Sequence, residues 1–139
     1  MPESQIDFTH CPPSASDFAS LRARVGWTNP ALAIIQSSIG SSLFWVTVYV
    51  QNKLIGCGRV IGDGAMYFYV QDVIVHPDYQ HMGLASKIME SINQYIAANC
   101  PSGSTVGLFA AKGKEAFYLK HGFELRDGHE LGLGMCKFI

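Results

Sequence analysis

One stretch limits what this chain can fold into more than any other: Val73-Ile74-Val75-His76-Pro77-Asp78-Tyr79-Gln80-His81-Met82-Gly83-Leu84-Ala85. It begins as an apolar run of strand character, and Pro77 ends that run because proline cannot donate to a ladder. The residues from Gln80 to Ala85 then lead into a helical pattern. Gly83 and Ala85 carry almost no side chain, so a bulky anion can lie against their backbone. The first N–H groups of the following helix lack a helical partner and need an acceptor. The helix dipole favours negative charge at the same place. The order strand, small-residue turn, helix therefore suits a phosphate-bearing ligand. Taken alone, Gln80-x-x-Gly83-x-Ala85 also fits an ordinary strand–turn–helix connection. Neither G-x-G-x-x-G nor a Gly-Lys-Ser/Thr loop is present, which argues against a Rossmann site and a P-loop.

The rest of the chain supplies a frame for this stretch. Gln5 to Thr9 alternates like a first strand, and Pro12-Pro13 breaks it. Ser14 can cap a helix in which Phe18, Leu21, Arg22 and Val25 recur at helical spacing, with Gly26 as its stop. Thr28 or Asn29 can cap a second helix with Pro30 at its first position, and Leu32, Ile35, Gln36 and Ile39 form one face. From Leu43 to Val50 the composition turns β-branched and aromatic. Residues 54–61 (LIGCGRVI) form the hairpin partner, and residues 65–75 (AMYFYVQDVIV) a third, longer strand after the Gly62-Asp63-Gly64 turn. These three predict an antiparallel meander. Leu84, Ile88, Ile92, Tyr95 and Ile96 follow the 3.6-residue period of a main helix over residues 84–98. A short buried strand follows at 106–109, a short helix at 114–120 with His121-Gly122 as its stop, and terminal strands at 123–125 and 135–138. The order β-α-α-β-β-β-α-β-α-β-β predicts an α/β fold with a mixed sheet.

Composition closes off several function classes. With 139 residues, 48% hydrophobic and 15% charged, the chain has material for one core, and a single domain over 1–139 is expected. Ten basic residues balance eleven acidic ones, and no basic stripe marks a nucleic-acid partner. No apolar run approaches the ~20 residues that cross a bilayer. Met1 to Gln5 lacks the basic and apolar regions of a leader. Cys11, Cys57, Cys100 and Cys136 are widely spaced and include no C-x-x-C pair, so four free thiols in a reducing cytoplasm are expected. The histidines do not pair with them at zinc-ligand spacing, so no metal is expected.

Two motifs at a fixed distance sharpen this reading. Val73 to Ala85 resembles the acyl-CoA motif R/Q-x-x-G-x-G/A, and Ala116-Phe117-Tyr118-Leu119-Lys120-His121-Gly122-Phe123 resembles F-Y-x-x-x-G-F. Together with the element order, they make the chain similar to the GNAT superfamily, the GCN-related N-acetyltransferases. The Leu-Gly-Leu-Gly-Met run at 131–135 resembles the tail of short bacterial members. The resemblance implies a central, mostly antiparallel sheet whose middle strands splay, with flanking helices. Acetyl-CoA would lie in the cleft as co-substrate, its arm paired to the backbone of Val73, Ile74 and Val75. Its pyrophosphate would rest on Gln80, His81, Met82, Gly83, Leu84, Ala85 and Ser86, with Phe117 also on the coenzyme side. The expected reaction is direct attack of a primary amine on the acetyl thioester. A small-molecule amine is the expected acceptor, and a homodimer is common in such proteins.

Roles follow residue by residue. Tyr118 stands where many family members place the acid that protonates the leaving sulfur. A phenol of pKa ~10 can donate to a thiolate whose acid has pKa ~8.5 as the C–S bond breaks. Many relatives carry an asparagine seven residues earlier that contacts the coenzyme arm; this chain has Ala111 instead. Asp72 lies on the central strand and is the candidate base. Because Asp72 and Val73 point to opposite faces, its other role is to bond locally and brace a bulge. Tyr69 and Gln71 are expected on the Val73 face, lining the acceptor pocket with Trp27 from the loop between the first two helices. His76 is read as a strand-end residue. The rival function is a non-catalytic acyl-CoA sensor, which would share the Gln80–Ala85 site and have no need of Tyr118.

Overall fold

The β-branched and aromatic run after Ser42 does become an interior strand of a sheet. The computed structural model describes residues 5–139; Met1 to Ser4, part of the stretch read for a leader, lie outside the described residues. They fall into two compact units, one ending at Gly107 and one spanning Leu108–Ile139. The first holds β1 (Ile6–Thr9), α1 (Ala15–Arg24), α2 (Leu32–Gly40), β2 (Phe44–Val50), β3 (Lys53–Gly62), β4 (Tyr67–Val75), α3 (Leu84–Asn99) and β5 (Thr105–Gly107). The sheet order is β1-β2-β3-β4-β5. The first three pairs are antiparallel and β4 runs parallel to β5.

Local chemistry explains the connections. Ser14 Oγ accepts from the Asp17 N–H at 3.1 Å and starts α1. Gln51 and Asn52 both take positive φ, 50° and 64°, as the tight β2–β3 turn requires. Asp63 Oδ1 accepts from the N–H groups of Ala65, Met66 and Tyr67 and so sets the β3–β4 turn.

Each face of the sheet has its own core. On one side, Phe18 and Leu21 of α1 and Ile35 and Ile39 of α2 pack with Trp45, Leu54, Cys57 and Ile74. On the other, Leu84, Ile88, Met89 and Ile92 of α3 are buried. There the helix comes so close that a Cβ on Gly58 would lie 2.8 Å from Ile88 Cγ2 and 2.9 Å from Ile92 Cδ1. Phe44 stacks on Tyr95 of α3, with ring centroids 4.6 Å apart.

Three expectations need correction. The second helix starts at Leu32 with Ala31 as an N-cap that offers no side chain, and Pro30 precedes it. Asn29 is unavailable as a cap because its amide bonds Ala19 O at 2.9 Å and accepts from Arg22 Nε at 2.9 Å. The strand near 106–109 is shorter, Thr105–Gly107, and only half-buried. The second unit contains one helix, α4 (Glu115–Lys120), and no strand. The apolar residues expected in its terminal strands, among them Leu125, Met135 and Phe138, are exposed, and a strand exists only where another pairs with it.

Candidate active site

β4 is paired on both sides only at its start. The ladder to β5 covers Tyr67, Phe68 and Tyr69, whereas β4 continues to Val75. Past Tyr69 the edge on that side has no strand partner among the described residues, the kind of edge to which the amides of an extended ligand can pair. The strand ends where His76 donates its N–H to Ile55 O at 2.7 Å. Pro77–Tyr79 makes one 3₁₀ turn, and Gln80 Nε2 reaches back to Val75 O at 3.0 Å. His81 and Gly83 then take φ of 64° and 79°. Gly83 is the N-cap of α3 and supplies no side chain to its first N–H groups. A Cβ built on Gly83 meets nothing within 4 Å, and His81, Met82 and Gly83 are all exposed. Open space, uncapped N–H donors and a helix dipole meet here, which fits a pyrophosphate. Ile74 turns its side chain into the core and pairs with Cys57 of β3.

The middle of β4 carries a bulge. Cys57 pairs with Ile74 and Arg59 with Gln71, so Gly58 alone faces both Asp72 and Val73. Asp72 takes the left-handed conformation, φ 56°. The extra residue changes which face each side chain points to. Gln71 lies on the Asp72 side, its amide 3.4 Å from Asp72 Oδ1, while Val73 points toward α3, where its Cγ2 lies 3.5 Å from a Cβ built on Gly58. The expectation that Tyr69 and Gln71 share the Val73 face therefore fails, because a one-residue offset reverses the alternation. Both lie on the α1/α2 side.

Asp72 is the centre of a buried charge cluster. Its Oδ1 accepts from Arg22 NH1 at 2.8 Å, and its Oδ2 from Arg59 Nε at 2.9 Å and Arg59 NH2 at 2.8 Å. The carboxylate side chain has 0% exposure, against 18% for Arg22 and 9% for Arg59. Arg22 also donates to Asn29 Oδ1 and Thr28 O, both at 2.9 Å, and lies over the Trp27 ring at 5.3 Å. Arg59 donates to Ser38 and Ser42 at the end of α2 and lies over Trp45 at 5.1 Å. Trp27, Gln71 and Asp72 thus meet through Arg22. Neither arginine was expected at a site: Arg22 counted only toward the spacing of α1, and Arg59 only as part of residues 54–61. Their signal was there: Arg22 sits on the apolar stripe of α1, and Arg59 interrupts an apolar strand that pairs with the strand of Asp72.

The second unit places Phe117 and Tyr118 on α4, both half-buried, with ring centroids 5.1 Å apart. Tyr118 also meets Phe123 edge-on at 6.2 Å, which joins the F-Y and G-F halves of the motif. Gly122 takes φ 91° and ends α4.

Other reactive groups are quiet. Burial pushes the Cys57 thiol far up, with Asp72 adding to the effect, so it is no nucleophile. Its Sγ donates to Asp72 O at 3.3 Å. Burial, helped by Lys53 and Arg24, holds His76 below the ordinary histidine value. All four cysteines are free thiols. Among the described residues, no three His, Cys, Asp or Glu side chains are grouped to hold a metal, and no helix is long and apolar enough to cross a membrane.

Similarity to known proteins agrees with this geometry. Residues 40–125 match the acetyltransferase (GNAT) domain family. An uncharacterized N-acetyltransferase ycf52 of Gracilaria tenuistipitata var. liui is 32% identical over 111 residues, which cover 77% of this chain and 60% of the relative. The chain thus spans about three fifths of that relative's length. A crystal structure of a probable acetyltransferase of unknown function from meticillin-resistant Staphylococcus aureus is 31% identical, with a TM-score of 0.86 over 96% of this chain and 100% of that one. A GNAT family acetyltransferase from Streptococcus pneumoniae is 25% identical, with a TM-score of 0.78 over 97% and 98%. By its matched residues, its sheet and its motifs, the chain belongs to the GNAT acetyltransferase domain family.

Proposed function

We propose that this protein is an acetyl-CoA-dependent N-acetyltransferase that acts on a primary amine, with residues 1–139 working as one domain. The observation that carries the reading is the free edge of β4 leading into the uncapped, open N-terminus of α3. The backbone of Val73, Ile74 and Val75 would hold the coenzyme's arm, and the residues Gln80 to Ser86 its pyrophosphate. When bound, the coenzyme supplies an acetyl group activated as a thioester.

The chain's own residues do the rest. A backbone N–H near Val75 polarises the carbonyl in an oxyanion-type role. Tyr118 donates the proton that the departing sulfur needs, and Phe117 packs on the coenzyme side. The acceptor enters from the α1/α2 side, where Trp27, Tyr69 and Gln71 line its pocket. Asp72 is a brace in this scheme, since both its oxygens are held by guanidinium groups and no amine reaches it without displacing an arginine. The amine's proton then leaves through water. The acceptor is a small molecule, and the protein works in the cytoplasm, where four free thiols persist.

A thiol-release assay with acetyl-CoA and a panel of amines tests this reading. Tyr118→Phe should slow turnover about 10²-fold, the scale of lost acid catalysis, and leave coenzyme A affinity nearly unchanged. Equal turnover of the variant and the parent would remove Tyr118 from the mechanism. Tight coenzyme A binding without thiol release on any amine would favour the sensor.

A further inference from the structure

We infer that Arg22 and Arg59 are positioning residues, which act through Asp72 to fix the bulge of β4 and so the register of the coenzyme-binding edge. The inference rests on the proposal that Val73 to Val75 hold coenzyme A.

The bulge has an unfavourable conformation at its centre. A non-glycine residue seldom adopts φ near +56°; aspartate does so more readily than most, because its short side chain can bond locally, and inside a strand the conformation still needs support from its surroundings. Here the surroundings do so from two sides. On the α3 side, Gly58 opposite the bulge leaves no room for a side chain. On the other side, the two guanidiniums hold separate oxygens of one carboxylate. The Cys57 thiol adds a bond to the Asp72 carbonyl.

The consequence reaches the ligand edge. Val70 pairs with Val60, which pairs with Phe44, and Phe44 stacks on α3. Ile74, four residues later, packs with α1 and α2. Without the bulge, residues an even number apart would share a face, and Val73 to Val75 would present the wrong side to the ligand. Arg22 extends the same device to the Trp27-Thr28-Asn29 loop, because one guanidinium bonds both loop and carboxylate.

Glycine adopts positive φ without strain. A bulge built on glycine therefore has less need of the clamp. Three proteins are compared: the parent, Arg59→Met, and the double variant Arg59→Met with Asp72→Gly. The double variant keeps the parent's net charge in the cluster, since it loses one cation and one anion. Two readouts apply to each: calorimetric titration with coenzyme A, and hydrogen exchange at the His76 amide, which reports on the end of β4.

Arg59→Met should weaken coenzyme A binding at least about tenfold and speed His76 exchange by a similar factor, as local opening becomes easier. The double variant should recover both to within about threefold of the parent, a non-additive result that only coupled residues give. Parent-like exchange and affinity in Arg59→Met would overturn the inference, as would a double variant no better than the single one. If the parent itself does not bind coenzyme A, the functional proposal fails, while the exchange data still decide whether the clamp holds the bulge.

Discussion

The two faces of the sheet solve the same packing problem in different ways. Toward α3, apolar shape alone does the work: Ile88 and Ile92 press on a strand that has given up its side chain at Gly58. Toward α1 and α2, a buried carboxylate and two arginines are set within an otherwise apolar cluster. Well-packed apolar groups would often stabilise as much as a buried ion pair, so the charges are not there for stability alone. They sit where the strand bulges and where the Trp27-Thr28-Asn29 loop is bonded to Arg22. The difference suggests that one face holds the fold and the other face shapes the site.

The largest expected effect lies on the charged face. Asp72→Ala would leave two guanidiniums without their carboxylate, a loss of about 3–5 kcal/mol read from urea unfolding. A loss near 1 kcal/mol would mean that solvent screens the cluster well. On the apolar face, Gly58→Ala places a methyl under 3.0 Å from two isoleucines of α3 and should cost about 1–3 kcal/mol by overpacking. It should also leave the Arg–Asp contacts intact in a crystal structure. If Gly58→Ala instead disrupts those contacts, the faces are not independent.

The smallest effect is a dependence on pH. His76 ends β4 against Arg24 of α1, and its value is lowered from 6.5 by burial and by nearby cations. As pH falls below about 6.5, the unfolded chain takes up a proton that the folded chain refuses, so stability declines until the lower folded value is reached. Above that window His76 contributes no slope. Thermal unfolding of His76→Gln should show a shallower decline from pH 7 to pH 5 than the parent. Parallel curves would mean that His76 is not the group responsible.

How far the sequence foretold this depended on whether the signal was local. The hairpins and α3 were legible because alternation and a 3.6-residue period arise within one segment. The turn and helix start at Gln80–Ala85 were legible for the same reason, since they are contiguous. A bulge for Asp72 to brace was expected, but its reversal of the faces was not legible, because a single offset residue leaves the apolar–polar pattern of AMYFYVQDVIV unchanged while it moves Gln71 to the other face. Arg22 and Asp72 are fifty residues apart, and no local rule joins them. The terminal strands at 123–125 and 135–138 failed on the converse point: apolar content suggested strands, but among the described residues no strand pairs with them.

The most direct test of the central claim is calorimetric titration of coenzyme A into the parent, Gly83→Ala and Gly83→Glu. Both variants carry the same left-handed strain at residue 83, and only the glutamate adds bulk and negative charge to the open space above α3. The account predicts binding by the parent, weaker but measurable binding by Gly83→Ala, and none by Gly83→Glu, with all three folded by circular dichroism. Coenzyme A binding by Gly83→Glu at the strength of Gly83→Ala would contradict it.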